Sequence, residues 1–97
     1  MTTYAVAYLN VQDRETFQAY REKAGAALAK HGGRIAAVAP QPLRLEGSLV
    51  APDSLVLLAF ETAEGAEQWH ADPNLAETHK LRRDGADVSI FVMKEAA

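Results

Sequence analysis

The chain has 97 residues, of which 48% are hydrophobic and 24% charged, with a formal net charge of -3 and no cysteine. This length predicts one domain over residues 1–97, and the hydrophobic content excludes a disordered chain. The absence of cysteine excludes disulfides and thiolate chemistry, and the acidic net charge argues against a nucleic-acid-binding surface. No segment resembles a signal peptide or a membrane helix, so we expect a cytoplasmic domain.

The first half of the chain predicts a strand, a helix and a second strand. Residues 3–11 are apolar on both alternating sets, which is typical of a strand buried on both faces. Asp13 is a suitable N-cap, and apolar residues then recur at helical spacing over about five turns. Residues 34–39 predict a second strand. Pro40 and Pro42 then predict a bulge, a bend or a sheet edge, because proline has no N–H.

The second half of the chain predicts two more strands and two helical segments. Residues 43–47 resume an extended pattern, and residues 54–60 predict a third strand. Thr62 is placed to cap a short helix, and Asp72-Pro73 fits an N-cap followed by proline at the start of another. Residues 87–94 predict the last strand. The order βαββαβ predicts an α+β, ferredoxin-like fold, in which a four-stranded antiparallel sheet carries its helices on one face.

Residues 30–34 read KHGGR, which fits either a glycine-rich phosphate cradle or the end of a helix. Phosphate-binding glycines precede a helix, because the helix N-terminus offers free N–H groups, whereas these glycines follow one. Gly32 suits the left-handed position after a helix, and Lys30 and His31 suit the last-turn carbonyls. We therefore predict a helix end, and we keep Arg34 as a ligand-binding candidate.

Three of the predicted strands are apolar on both faces, although the two helical segments can cover only one face. In the third strand, for example, Leu55 and Leu57 oppose Val56 and Leu58. An exposed apolar patch of this size usually marks an interface, and a second copy of the chain is its simplest cover. We therefore expect a homodimer that associates through the free face of the sheet.

Several short motifs recur in an order and spacing that cover nearly the whole chain: Asn10-Val11 before Asp13, then Phe17 and Tyr20, KHGGR, Leu45-Glu46-Gly47, Val56 to Phe60, Trp69, Asp72-Pro73, and Leu81-Arg82 before Ala86-Asp87. Together they resemble the family called domain of unknown function 1330, within the dimeric α+β barrel superfamily. The resemblance implies a ferredoxin-like subunit and a homodimer whose sheets face each other.

The resemblance implies little about activity. Relatives in the wider superfamily include cofactor-free monooxygenases, isomerases, haem-degrading enzymes and stress proteins, so the fold does not choose among them. Family members commonly carry acidic residues where this chain has Asn10 and Ala59. If those acids are catalytic elsewhere, their role is not carried over here.

Glu46, His79 and Arg82 are the candidate catalytic residues. A carboxylate beside apolar residues suits general acid or base catalysis, although Glu46 has the alternative of pairing with Arg34 or Arg44. His79 precedes Arg82 by three residues on one predicted helix, so it either lines the space under that helix or lies at the surface.

Arg82 is a candidate for binding a carboxylate or a phenolate through two parallel hydrogen bonds. The alternative is a structural ion pair with Asp72 or Asp87. The sequence alone does not choose between the two.

A pocket between the sheet and the helices is the expected ligand site. The candidate ligand-binding residues are Tyr8, Asn10, Arg34, Trp69 and Met93, although aromatic residues at such spacing are more often core. The three histidines have no recognised metal spacing, so we predict no metal site. No nucleotide-binding fingerprint and no serine-nucleophile motif is present, so we predict no cofactor.

Two functions remain open from the sequence. One is a small enzyme or binding protein for an aromatic or hydrophobic metabolite, with proton-transfer isomerisation or cofactor-free oxygenation as fitting reactions. The other is a non-catalytic dimeric accessory or stress-response module. A pocket that reaches the candidate polar residues would favour the first, and a tightly packed interior would favour the second.

Overall fold

The structure is a computed structural model that describes residues 2–94. Its elements follow the predicted order βαββαβ, and the second helical region is divided by one turn of 3-10 helix at Pro73–Leu75. The strands and α-helices are β1 (Thr3–Val11), α1 (Arg14–Ala29), β2 (Gly33–Pro40), β3 (Ser54–Phe60), α2 (Ala63–Ala71), α3 (Ala76–Gly85) and β4 (Ala86–Met93).

The four strands form one antiparallel sheet in the order β2-β3-β1-β4. This is the predicted α+β, ferredoxin-like fold. Side chains alternate between the two faces of a strand, so the register divides the sheet into an inner face toward the helices and an outer face away from them. On β1 the inner face carries Ala5, Ala7 and Leu9, all buried, and the outer face carries Tyr4, Val6 and Tyr8.

The predicted N-caps form the expected hydrogen bonds. The Asp13 carboxylate accepts from the backbone N–H of Thr16 at 3.3 Å, and the Thr62 hydroxyl accepts from that of Gly65 at 3.0 Å. Asp72 caps the 3-10 helix. Each cap satisfies a donor that the first turn of a helix leaves free, which explains why these starts are readable from sequence.

The KHGGR segment ends α1, as predicted. Gly32 has a φ of 72°, the left-handed conformation that glycine adopts without a steric penalty. The expectation for Lys30 and His31 is wrong, because both side chains reach across to Asp72 instead of the helix carbonyls. Lys30 Nζ lies 2.9 Å and His31 Nε2 lies 2.8 Å from Asp72 Oδ2. These contacts tie the end of α1 to the junction after α2.

Pro40 and Pro42 flank a bend at a sheet edge, two of the three predicted possibilities. β2 is an edge strand that ends at Pro40, and its register with β3 shifts between Ile35 and Ala37. Gln41 then takes a φ of 53°, which turns the chain away from the sheet. The extended pattern of residues 43–47 therefore forms no strand in the described chain, and its apolar side chains are exposed.

Two glycines permit the close packing of the helices. A Cβ on Gly85 would lie 2.6 Å from the Phe17 backbone nitrogen, and one on Gly65 would lie 2.7 Å from the His31 carbonyl oxygen. Gly85, at the end of α3, also accepts backbone hydrogen bonds from Gln12 and Asp13 at 2.8 and 3.0 Å. The helices are thereby fixed against each other over the inner face of the sheet.

Within residues 2–94, no helix is both long enough and apolar enough to cross a bilayer. The cytoplasmic location stays a prediction.

Candidate functional site

A cavity of about 840 Å³ lies between the inner face of the sheet and α1. Ala7 and Val56 contribute one wall from the sheet, and Ala24 contributes the opposite wall from α1. Trp69 and Arg82 line it from α2 and α3. The volume falls within the range of about 300–1,000 Å³ that is usual for small-molecule sites.

Small side chains at core positions account for the space. Ala7 on β1 and Ala24 on α1 are both buried, yet neither is long enough to reach across the gap between sheet and helix. On the β2 side, Ile35 and Val38 line the cavity and are about half exposed. The cavity therefore opens to solvent beside the edge strand.

Arg82 is the most unusual residue of the site. Its side chain is 3% exposed, and within residues 2–94 it forms no ion pair. Neither acidic partner considered from the sequence is available: Asp72 binds Lys30 and His31, and Asp87 lies opposite Asn10 on the outer face. A buried charge without a counter-ion is costly, and such groups often mark functional sites.

Two aromatic rings and one histidine surround the Arg82 guanidinium. Its Cζ lies 5.1 Å from the centroid of Trp69 and 5.7 Å from that of Tyr20, within the range of cation–π attraction. Its Nη1 lies 2.9 Å from Nδ1 of His79. Arginine has five N–H donors, so this one hydrogen bond leaves most of them free for a ligand.

The hydrogen bonds of His79 fix its tautomer. His79 Nε2 lies 2.8 Å from the Trp69 carbonyl oxygen, which can only accept, so Nε2 carries the proton. Nδ1 is then the acceptor for Arg82. Burial lowers the pKa of His79 below its ordinary value, the Trp69 carbonyl opposes this, and the charge of Arg82 lowers the pKa further. His79 therefore accepts a hydrogen bond that holds the Arg82 guanidinium in place.

Trp69 forms a wall between the main cavity and a second one of about 430 Å³, and Arg82 and Ile90 also line both. Its ring meets the ring of His79 edge-on, with centroids 5.0 Å apart. The buried Trp69 Nε1–H has no acceptor among the described residues. The boundary between the cavities is therefore rich in hydrogen-bond donors.

The charged side chains that line the main cavity are mostly basic. Arg14, Arg21 and Arg82 line it, whereas Asp53 is its one acidic lining residue. The chain as a whole carries a formal charge of -3. Positive charge is thus concentrated at the cavity of an otherwise acidic protein, an arrangement that attracts anions.

The structure brings together three of the residues predicted from the sequence. Arg82 and Trp69 line the cavity, and His79 contacts both from behind. Glu46 is exposed in the connection between β2 and β3 and lines neither cavity. Glu46 also forms no ion pair with a described arginine. The structure therefore supports neither the catalytic role nor the structural ion pair that the sequence suggested for Glu46.

The other predicted ligand-binding residues lie on the outer face of the sheet. Tyr8, Asn10 and Met93 share that face, and so does Arg34 at its edge. The Asn10 side-chain oxygen accepts a hydrogen bond from the Asp53 backbone N–H at 3.0 Å. These four residues are separated from the cavity by the sheet.

The residues that create the space, among them Ala7 and Ala24, were not among those predicted from the sequence. A sequence signal existed, because alanine recurs at apolar positions of both β1 and α1. Within residues 2–94, no cluster of three or more histidine or acidic side chains is arranged to hold a metal ion.

The model of the family described as domain of unknown function (DUF1330) matches residues 2–96. No curated protein matches the chain in sequence.

Several solved structures share the fold. A protein of unknown function from Rhodopseudomonas palustris superposes with a TM-score of 0.78 at 16% identity, covering 99% of this chain and 83% of that one. SnoaB, a cofactor-independent oxygenase from Streptomyces nogalater, superposes with a TM-score of 0.66 at 13% identity, covering 99% of this chain and 94% of that one. A dimeric ferredoxin-like protein of unknown function from Jannaschia sp. superposes with a TM-score of 0.62 at 11% identity, covering 98% of this chain and 100% of that one. At these identities the likeness shows the fold alone.

Proposed function

Since this chain belongs to the DUF1330 family, whose description assigns no activity, we propose a function from its own cavity. The protein is a homodimer that binds, or binds and transforms, a small aromatic or hydrophobic metabolite between the inner face of the sheet and α1. The observation that carries this proposal is the cavity of about 840 Å³ that ends at the buried Arg82.

The chemistry of the lining supports this class of ligand. Alanine, valine and isoleucine side chains supply apolar surface, and Phe17 and Tyr20, with ring centroids 5.6 Å apart, supply an aromatic wall. A mostly apolar pocket with a few polar groups is the usual form of a small-molecule site. SnoaB adds the precedent of a similar fold in an oxygenase described as cofactor-independent.

A thermal-shift screen with small aromatic and hydrophobic metabolites tests the proposal. A ligand present at one hundred times its dissociation constant stabilises the folded state by about 2.7 kcal/mol. For a domain of this size, that corresponds to a rise in melting temperature of roughly 10 °C or more.

Two substitutions on α1 show whether a hit occupies the cavity. Ala24→Leu fills the space, because Ala24 is buried and lines the cavity. Ala26→Leu makes the same change at an exposed position of the same helix. We expect the first variant to lose the ligand-induced shift and the second to keep it. A broad panel with no hit would refute the proposal and favour a non-catalytic accessory or stress-response module.

Association through the outer face is the second part of the proposal. Val6, Tyr8 and Leu57 form the middle of an apolar surface that extends to Phe91 and Met93, which are 61% and 57% exposed. Apolar surface of this extent on one face of a sheet favours burial against a second copy. The ferredoxin-like neighbour from Jannaschia is described as dimeric, which supports self-association of this fold.

Light scattering after size exclusion measures this association directly. We expect twice the chain mass of 10.5 kDa for the unmodified protein. Leu57→Glu places a charge near the centre of the outer face and should yield monomers, whereas Gln68→Glu, at an exposed position of α2, should leave the dimer intact. A monomeric unmodified protein at micromolar concentration would exclude the dimer.

A further inference from the structure

We propose that the ligand of the main cavity carries an oxyanion, a carboxylate or a phenolate, and that the Arg82 guanidinium binds it while His79 holds the guanidinium in place. This inference rests on the proposed function and adds the ionic form of the ligand to it. It also divides the two neighbouring residues by role, since Arg82 contacts the ligand and His79 acts through Arg82.

The missing counter-ion is the first argument. Arg82 is 3% exposed and remains charged, yet within residues 2–94 no carboxylate forms an ion pair with it. The rings of Trp69 and Tyr20 attract the cation without neutralising it. Proteins rarely bury a charge unless it is paired, so the partner of this charge is best supplied by a ligand.

The hydrogen bonds around Arg82 are the second argument. His79 Nδ1 accepts from one terminal nitrogen at 2.9 Å, and the Trp69 carbonyl fixes the opposite side of the imidazole at 2.8 Å. The guanidinium is thereby oriented before a ligand arrives, and its remaining donors are the groups that bind an oxyanion through two parallel hydrogen bonds. Preorganised donors of this kind lower the entropic cost of binding.

The charge of the cavity is the third argument. Its lining includes Arg14, Arg21 and Arg82 against the single carboxylate of Asp53. A neutral ligand would leave this excess of positive charge uncompensated. A ligand with an aromatic body and one oxyanion would place its rings along the apolar walls and its charge at Arg82.

Matched pairs of probes test the charge of the ligand. 3-Phenylpropanoate and 3-phenylpropanamide share a shape but differ in charge, and 4-nitrophenolate and 4-nitroanisole do the same for the phenolate. Calorimetric titration at fixed ionic strength gives the affinity ratio of anion to neutral partner within each pair. We expect at least a tenfold preference for the anion in one pair or both, and the pair that shows it identifies the oxyanion.

Variants of the two residues test their roles. Arg82→Met should bring the ratio to within about twofold of one, while Arg82→Lys, which keeps a charge but not the planar fork, should retain part of it. Lys23→Met is the control, because Lys23 is an exposed cation of α1 that lines neither cavity, and its ratio should match the unmodified protein. His79→Phe should lower the ratio and His79→Gln should restore part of it, a pattern that a purely structural role would not produce.

Each remaining outcome overturns a defined part of the reasoning. Equal affinity for anions and neutral partners refutes the oxyanion while leaving the proposed function intact. A preference that survives Arg82→Met, or that Lys23→Met removes, refutes the assignment to Arg82. Anion binding that survives Ala24→Leu refutes the placement in the main cavity. If no probe and no metabolite of the wider panel binds, the proposed function fails and this inference fails with it.

Discussion

Replacing Ala24 by leucine should stabilise the ligand-free protein while removing the room for a ligand. Ala24 is buried on α1 and lines the cavity, so the larger side chain points into existing space. Leucine adds three carbon atoms, whose burial contributes about 0.8 kcal/mol each and about 2.4 kcal/mol together. Ordering the leucine side chain costs about 0.5–1 kcal/mol. We therefore expect the free energy of unfolding to rise by about 1.5 kcal/mol.

Urea unfolding followed by fluorescence measures this change, because the chain has one tryptophan and Trp69 lies at the cavity. With an m-value of about 1 kcal/mol per M, the midpoint should rise by about 1.5 M. Both proteins must be compared at one protomer concentration, because association links stability to concentration. Ala26→Leu is the control, and at an exposed position it should change the free energy of unfolding by no more than about 0.5 kcal/mol.

The opposite sign would refute the reasoning. If Ala24→Leu lowers stability by about 1–3 kcal/mol while Ala26→Leu does not, the leucine is overpacked, and the space between α1 and the sheet is not open to a ligand. A stabilised Ala24→Leu variant that still binds the ligand would instead place the ligand elsewhere in the molecule.

Three further predictions concern the framework around the site. Gly25→Ala should stabilise the protein by about 0.5–1 kcal/mol, because nothing lies within 4 Å of the added Cβ. Gly65→Ala should destabilise it by about 1–3 kcal/mol, because the added Cβ would lie 2.7 Å from the His31 carbonyl oxygen. Equal effects of the two substitutions in urea unfolding would contradict this packing. Hydrogen bonds from Lys30 and His31 hold the pKa of Asp72 well below its ordinary range. The stability advantage of the unmodified protein over Asp72→Asn should therefore be present above about pH 4 and shrink as the pH falls below it. A difference independent of pH in acid titrations would argue against these contacts. Burial lowers the pKa of His79 in the folded state, so the unfolded state binds more protons. The free energy of unfolding should therefore fall as the pH drops below about 6.5. His79→Gln should flatten this dependence between pH 7.5 and 5.5, and an unchanged dependence would exclude His79 as its source.

Local signals in the sequence account for most of the fold that was predicted correctly. The caps at Asp13, Thr62 and Asp72 and the left-handed Gly32 each depend on residues only a few positions apart. The extended pattern of residues 43–47 did not lead to a strand, because strand formation depends on a distant pairing partner that the pattern does not reveal. The sequence therefore predicted where helices and strands begin and end better than it predicted which strands pair with each other.

In the candidate site, too, contacts between residues close in sequence were predictable and contacts between distant residues were not. Arg82 and His79 were predicted partly because they stand three residues apart on one helix, and that spacing does bring them into contact. The cavity depends on Ala7 and Ala24, which face each other from different elements, so their smallness has meaning only after the chain has folded. The partner of Asp72 was equally distant, since Lys30 lies at the end of another helix.

The irregular edge of β2 bears on how copies of this chain can assemble. A straight exposed edge strand invites another strand to add to it, and each addition creates a new edge, so growth has no natural end. Here the register shift near Ala37 and the missing N–H of Pro40 interrupt the edge of β2. Contact through the outer face is different, because two copies cover each other and leave no further face to occupy. The bulge and the proline thus favour a closed pair over an open-ended aggregate.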